Sequence, residues 1–427
     1  MKKILLSVLC LFFGFALISC NRSNNYKLKS AADPIELTYN DELNNFIDKL
    51  DVFAAKLTVS LYKQSDKRTN MCISPVSIYM ALAMAIECAS GDTRQEMLDA
   101  VGVTYDEVLN FTGYLYSMCN KEYKTNDKII GYQELANSIW INDNINLKEE
   151  KLDVLANKYN TDSFYVPFTN KNTLANKALS DYVKEKTHGL IDNDFNLSID
   201  TMFALVNTLY LKDIWNRDGN DLLFTKDKYD FKEYDGNIVK TKLLSGYYNL
   251  GRVVENNVYK TFYTKTQSNI TIKFILPKDE YTLDDILDVN TLTSVYSLDS
   301  YNPHDEEKNL EYHTRCYFPE FEATFKSDLK DVLINDFNIK LLFDRKLCDF
   351  TSIIDGDVYC SSVIHQAKLK VDKTGIEGAA VTIIANEGTA GPMYELVYED
   401  FIVDKTFAYI VCNSKGVQLF TGVINNI

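Results

Sequence analysis

Residues 203–211 read FALVNTLYL, an almost unbroken apolar run without a charge. Side chains alternate across a strand, so a strand apolar on both faces belongs inside a sheet covered on both sides. Such a sheet needs ample apolar material. The 427 residues are 46% hydrophobic and 25% charged, which suffices for a large core and excludes global disorder. Length alone allows two or three domains or one large one.

Other segments follow the same logic. Leu43, Phe46, Ile47, Leu50, Leu57 and Leu61 recur at helical spacing. Ser74-Pro75 starts a helix, with a capping hydroxyl and Pro at the first helical position; this helix runs through Ile78, Leu82 and Ile86 and ends before Gly91. Thr93-x-x-Glu96 is a capping-box candidate for the next helix. Residues 184–188 close a further helix, with Gly189 just past its end. Residues 135–141, 270–276, 402–411 and 418–423 read as further strands. Helices crowd the first third and strands the last, which predicts an α+β fold with large, mainly antiparallel sheets.

The amino-terminal twenty residues combine Lys2 and Lys3 with an apolar run from Ile4 to Ile18, ending in Leu17-Ile18-Ser19-Cys20. The run is short for a membrane span, which needs about 20 residues, and fits the h-region of an export signal. Its end resembles a bacterial lipobox. That resemblance implies a signal peptide over 1–19, a lipidated Cys20 and a cell-envelope location, with the outer membrane favoured because Asn21 is not Asp. The polar stretch that follows reads as a flexible tether over 20–36. The nine cysteines are scattered and form no Cys-x-x-Cys, so a disulfide framework, zinc ribbon or redox pair is not expected; Cys72, Cys88 and Cys412 read as small core residues.

Sixty acidic residues against 45 basic ones, net −15, argue against a nucleic-acid partner. No nucleophile elbow, His-Glu-x-x-His, phosphate-binding glycine loop or dinucleotide fingerprint occurs. His304 and His313 flank a charged stretch, HDEEKNLEYH, which reads as a solvated loop rather than a metal site. An enzyme is disfavoured, and no metal or cofactor is called for.

Residues 368–400, KLKVDKTGIEGAAVTIIANEGTAGPMYELVYED, stand apart. A strand-like start leads into Gly375-Ile376-Glu377-Gly378-Ala379-Ala380, then Val381-Thr382-Ile383-Ile384 and a small-residue segment ending at Pro392. In strand periodicity Ile376, Gly378, Ala380, Thr382 and Ile384 share one uncharged face. From the residues alone two readings stay open: a loop in one state that becomes a sheet strand in another, or a plain hairpin with a glycine-rich tip.

This segment resembles the reactive-loop hinge of the serpins. Other patterns of that family recur in order. Asn70-x-x-x-Ser74-Pro75-x-Ser77-Ile78, Gly91-Asp92-Thr93 and the run from Val206 to Trp215 precede the loop. Phe318-Pro319-Glu320-Phe321 and the stretch through Leu333, Phe343, Asp349 and Phe350 lead into it, and residues 419–425 follow. The resemblance spans residues 40–427. It implies a single serpin domain over 37–427, with about nine helices around three β-sheets and an exposed reactive-centre loop over 373–400.

The resemblance also implies a mechanism. A protease cuts the loop, and the cut loop inserts as a new strand in the central sheet, trapping the acyl-enzyme. The family's spacing from Gly375 puts the reactive bond at Thr389–Ala390, whose small residues suit elastase-like or broad-specificity serine proteases, with subtilisin- or papain-like enzymes as further targets. Cuts at Met393–Tyr394 or Tyr394–Glu395 would suit chymotrypsin-like ones. Residues 375–382 form the hinge. Lys373, Ile376 and Gly378 depart from the family's common residues there. Ser74, Ser77, Asn207 and His365 match the shutter, where polar side chains bridge strands that must part; for His365 a buried hydrogen bond is also the plain core reading. Trp215 matches the breach at the top of the opening, or packs simply as core. No heparin-like activator is implied, and a monomer is expected. The alternative is a non-inhibitory serpin, cut as a substrate or acting as a binding protein.

Overall fold

A computed structural model describes residues 26–36, 40–125, 128–215, 221–295, 301–354, 358–361, 363–377 and 394–427. Its centre is an eight-stranded sheet. The strands are β1 (Lys27–Lys29), β2 (Lys121–Thr125), β3 (Lys128–Asn142), β4 (Thr161–Val166), β5 (Phe203–Ile214), β6 (Phe321–Asp328), β7 (Ile364–Val371) and β8 (Gly375–Ile376). They lie in the order β1-β4-β3-β5-β8-β7-β6, with β2 paired to β3. Only β3 and β4 run parallel. A five-stranded sheet holds Leu310–Phe318 between Leu244–Leu250 and the parallel strand Glu395–Ile402; a six-stranded sheet carries Thr271–Pro277, Phe407–Cys412 and Gln418–Ile424. Nine α-helices among the described residues complete the α+β architecture.

β5 is covered on both faces, as its sequence requires. Phe203, Leu205, Leu209 and Leu211 face the main core, and Ala204 and Val206 pack with Trp140, Phe164 and Tyr182 under α6 (Asn172–Lys186). Helix α2 (Pro75–Cys88) is buried almost all round, and Ser74 caps it by accepting the Ser77 N–H. Its buried Glu87 accepts from Lys151 Nζ at 2.9 Å and from the Tyr105 and Tyr159 hydroxyls at 2.8 and 2.9 Å. Past α6, Gly189 takes the expected left-handed conformation and its N–H returns to the Lys184 carbonyl.

Three expectations change. The helix holding Thr93 begins at Gly91, so Thr93 and Glu96 lie inside it; Thr93 Oγ1 accepts from Asp349 N–H, and Glu96 accepts the N–H groups of Lys340 and Leu341. The capping box instead joins Thr104 and Glu107. Residues 26–36, read as tether, lie on the domain: Lys27–Lys29 pairs with β4, Lys27 and the Ala31 N–H reach Asp162, and Asn160 holds the Ala32 carbonyl. His304 and His313 sit on strands rather than on a loop, and both bond to Glu311. Among the described residues no group of side chains is arranged to hold a metal. Cys72, Cys88, Cys119, Cys316, Cys348, Cys360 and Cys412 are in no disulfide among the described residues, and Cys72, Cys88 and Cys412 are buried as expected.

Candidate functional site

The candidate site is a parting in the central sheet. β5 and β7, each antiparallel to it, flank β8, which is only two residues long: Gly375 pairs with Ile214, and Ile376 with Asp213 on one side and Val371 on the other. Below Ile376 no ladder joins β5 to β7 among the described residues. A narrow cleft, partly open to solvent, lies there under α6, lined by Leu179, Val183, Leu205, Asn207, Thr208 and Gln366. Asn207 Oδ1, Thr208 Oγ1 and Gln366 Oε1 are buried in it with no partner among the described residues. Buried polar atoms in that condition are costly and favour any group that satisfies them.

The hinge is seated from above. Gly375 lies so close to β5 that a Cβ there would stand 2.0 Å from the Asp213 carbonyl oxygen, so only glycine fits without a backbone shift. Asp213 is itself fixed: its carboxylate accepts from Ser268 N–H and Oγ and from Ile214 N–H, and burial pushes its pKa up to about 6. Trp215 is buried and donates from Nε1 to the Asp372 carbonyl at 2.7 Å, so it fastens the turn that feeds β8. Lys373 pairs with Asp221 at 2.7 Å, and its N–H donates to Glu320. Ile376 is fully buried, as an inward-facing apolar residue should be. Glu377 turns out of the strand, and its Oε1 accepts from the Tyr210 hydroxyl at 3.0 Å.

At the other end of the cleft, Ser74, Ser77 and His365 come together. The Ser74 N–H donates to His365 Nε2 at 3.1 Å, and the Ser74 and Ser77 hydroxyls meet at 2.9 Å. Burial lowers the His365 pKa to about 3, so the ring is neutral and Nε2 accepts. Asn207 does not join this group. Its Nδ2 donates to Asn137 on β3, on the side of β5 away from the parting. Asn137, Thr208, Tyr210 and Gln366 were not singled out by the sequence; the polar interruptions in otherwise apolar strands, such as Asn137 in LANSIWI, were the available signal. Gly378, Ala379, Ala380, Val381, Thr382, Thr389, Ala390 and Cys20 lie outside the described residues.

Comparison with known proteins gives this arrangement a family. Residues 48–427 match the family model described as Serpin (serine protease inhibitor). The chain is 27% identical to Iripin-1 of Ixodes ricinus over 429 residues, covering 97% of this chain and 98% of that protein. The native state of the thermophilic serpin tengpin superposes with a TM-score of 0.73 at 22% identity, covering 93% and 97% of the two chains. Thyroxine-binding globulin in complex with thyroxine superposes at 0.70 with 18% identity, covering 90% and 99%. The parted sheet, the glycine seated at its top and the family match over nearly the whole chain lead to one conclusion: this chain belongs to the serpin family.

Proposed function

We propose that the protein is a suicide-substrate inhibitor of endopeptidases, chiefly serine proteases, cut at Thr389–Ala390. The observation that carries this reading is the cleft below β8. Extending the register from Ile376 gives each following residue a partner on both sides: position 380 falls opposite Leu209 and Ala367, and position 382 opposite Asn207 and His365. The entering strand pairs its backbone on both edges and brings the Thr382 hydroxyl to the unpartnered Asn207 Oδ1. The gain in paired backbone and buried apolar surface drives insertion, and the uncut state is held by kinetics. Tyr394 stacks on His304 with ring centroids 4.6 Å apart, and the Glu395 N–H is bonded to Asn309. Both features oppose cleavage at Tyr394–Glu395 and favour the earlier bond.

The partners on this reading are elastase-like or broad-specificity proteases, including subtilisin- and papain-like ones. The exported protein is anchored through lipidated Cys20 to the bacterial envelope and guards it there. The experiment is incubation with elastase-, chymotrypsin-, trypsin-, subtilisin- and papain-like proteases. A complex that survives denaturing electrophoresis, with a released fragment beginning at Ala390, is expected. Cleavage with a large gain in thermal stability but no complex would make the protein a substrate serpin. That second reading draws support from Lys373, held by Asp221 at the entrance to the hinge.

A further inference from the structure

We propose that Tyr210 and Glu377 form a latch that stops the hinge at Ile376 and sets the rate at which the rest of the loop advances. This rests on the reading of the loop as a strand that enters the cleft. Glu377 is the first residue past β8 and has a φ of +42°, a conformation that non-glycine residues rarely adopt. A missing strand partner does not explain it, because the Glu377 N–H already donates to the Lys370 carbonyl at 3.1 Å. The side chain is what departs. Oε1 accepts from the Tyr210 hydroxyl at 3.0 Å, while Oε2 is buried with no partner among the described residues. Burial raises the Glu377 pKa, against the pull of the Tyr210 hydroxyl and of Lys212, His188 and Lys368.

Tyr210 is held in place to make this bond. Its ring stacks on His188 at 4.3 Å between centroids, and His188 Nε2 bonds to Glu134 on β3 at 2.9 Å. The ring is thus braced through His188 and Glu134 while its hydroxyl holds Glu377. The register shows what the resting state forgoes. In an extended strand Glu377 stands opposite Lys212 on β5 and Lys370 on β7, side chains on the same face. Relaxing φ sets the carboxylate opposite Lys212, while Lys370 is already paired with Asp372 at 2.9 Å, and every later residue then gains ladder partners. The latch thus holds a conformation that is poorer than the one it blocks.

The test uses Y210F, E377Q, H188A and the double variant Y210F/E377Q in the full chain. Two half-times are read: conversion of the uncut protein on warming to a form of raised thermal midpoint, and acquisition of that stability after nicking within the loop. Y210F should shorten both by about tenfold or more, the scale of one hydrogen bond to a charged group. H188A should shorten them less. Y210F/E377Q should be no faster than the faster single variant, since Y210F removes the bond outright and E377Q, whose amide oxygen can still accept, only weakens it. Half-times for Y210F equal to wild type, or a double variant whose acceleration is the product of the singles, would overturn the latch. If Y210F does not fold, E377Q against E377Q/H188A carries the same comparison. A nicked wild type that gains no stability would sink the insertion reading instead; a normal gain with unchanged Y210F half-times sinks only the latch.

Discussion

The backbone N–H of Ser74 donates to Nε2 of His365, 291 positions away in sequence. This bond ties the cap of α2 to β7, the strand on the far side of the parting. It requires a neutral ring, and burial holds the His365 pKa at about 3 instead of 6.5. Unfolding restores the ordinary value. The resulting stability is complete above about pH 6.5 and falls as pH drops toward 3, by about 1.4 kcal/mol per pH unit within that window. Asp213, raised to about 6, works the other way, losing stability as pH rises from about 4 to 6. The measurement is therefore a difference: denaturant unfolding of wild type minus H365Q between pH 7.5 and 4.5. The difference should shrink steadily with acid, and a constant difference would refute a neutral buried ring.

Gly375→Ala tests the seating of the hinge. Its Cβ would meet the Asp213 carbonyl oxygen at 2.0 Å, which neither backbone can accommodate without moving. The strand β8 should leave its place, at a cost of about 1–3 kcal/mol typical of overpacking. Amide hydrogen exchange should show lost protection at Ile376 and Glu377 with β3 unchanged. Trp215 fluorescence should shift as well, because its indole bonds to the turn that precedes β8.

Glu87→Gln removes a charge from the core beneath the sheet. The carboxylate is 1% exposed and serves Lys151, Tyr105 and Tyr159 together. An amide cannot accept from all three, and Lys151 is left without its counter-ion. A loss of about 2–4 kcal/mol in urea unfolding is expected, the range for breaking a partly solvated buried pair. A change below about 0.5 kcal/mol, ordinary for surface sites, would mean that the network contributes little.

What could be read from the chain was what local pattern controls. The 203–211 run declared a sheet covered twice, and Ser74-Pro75 declared a helix start, because period and capping act within a few residues. Four features escaped for long-range reasons. Thr93 looked like a cap, but the chain had already entered the helix at Gly91, and its hydroxyl serves Asp349 instead. Residues 26–36 lack an apolar period because polar contacts to Asp162 and Asn160 hold them. Asn207 was grouped with His365, yet the register of β5 on β3 delivers its amide to Asn137. Tyr210 and Glu377 meet across 167 positions, and no local signal marks either one for the other.

Ala380→Pro separates inhibition from mere cleavage. By register, position 380 enters the sheet opposite Leu209 and Ala367, with strands on both sides. Proline has no N–H to give to either ladder, and its ring intrudes on the neighbouring strand, so it is tolerated at edges and not in the middle of a sheet. The uncut protein should keep its fold, since β8 itself is formed by Gly375 and Ile376 alone. Insertion should stall after Ala379, before the protease has been carried far enough to be distorted. The acyl-enzyme then hydrolyses, and the protein is consumed as a substrate. On a denaturing gel the wild type should give a covalent complex where A380P gives only the cleaved chain, at a comparable rate of cutting. An A380P protein that still formed the complex would show that trapping does not depend on a strand entering between β5 and β7.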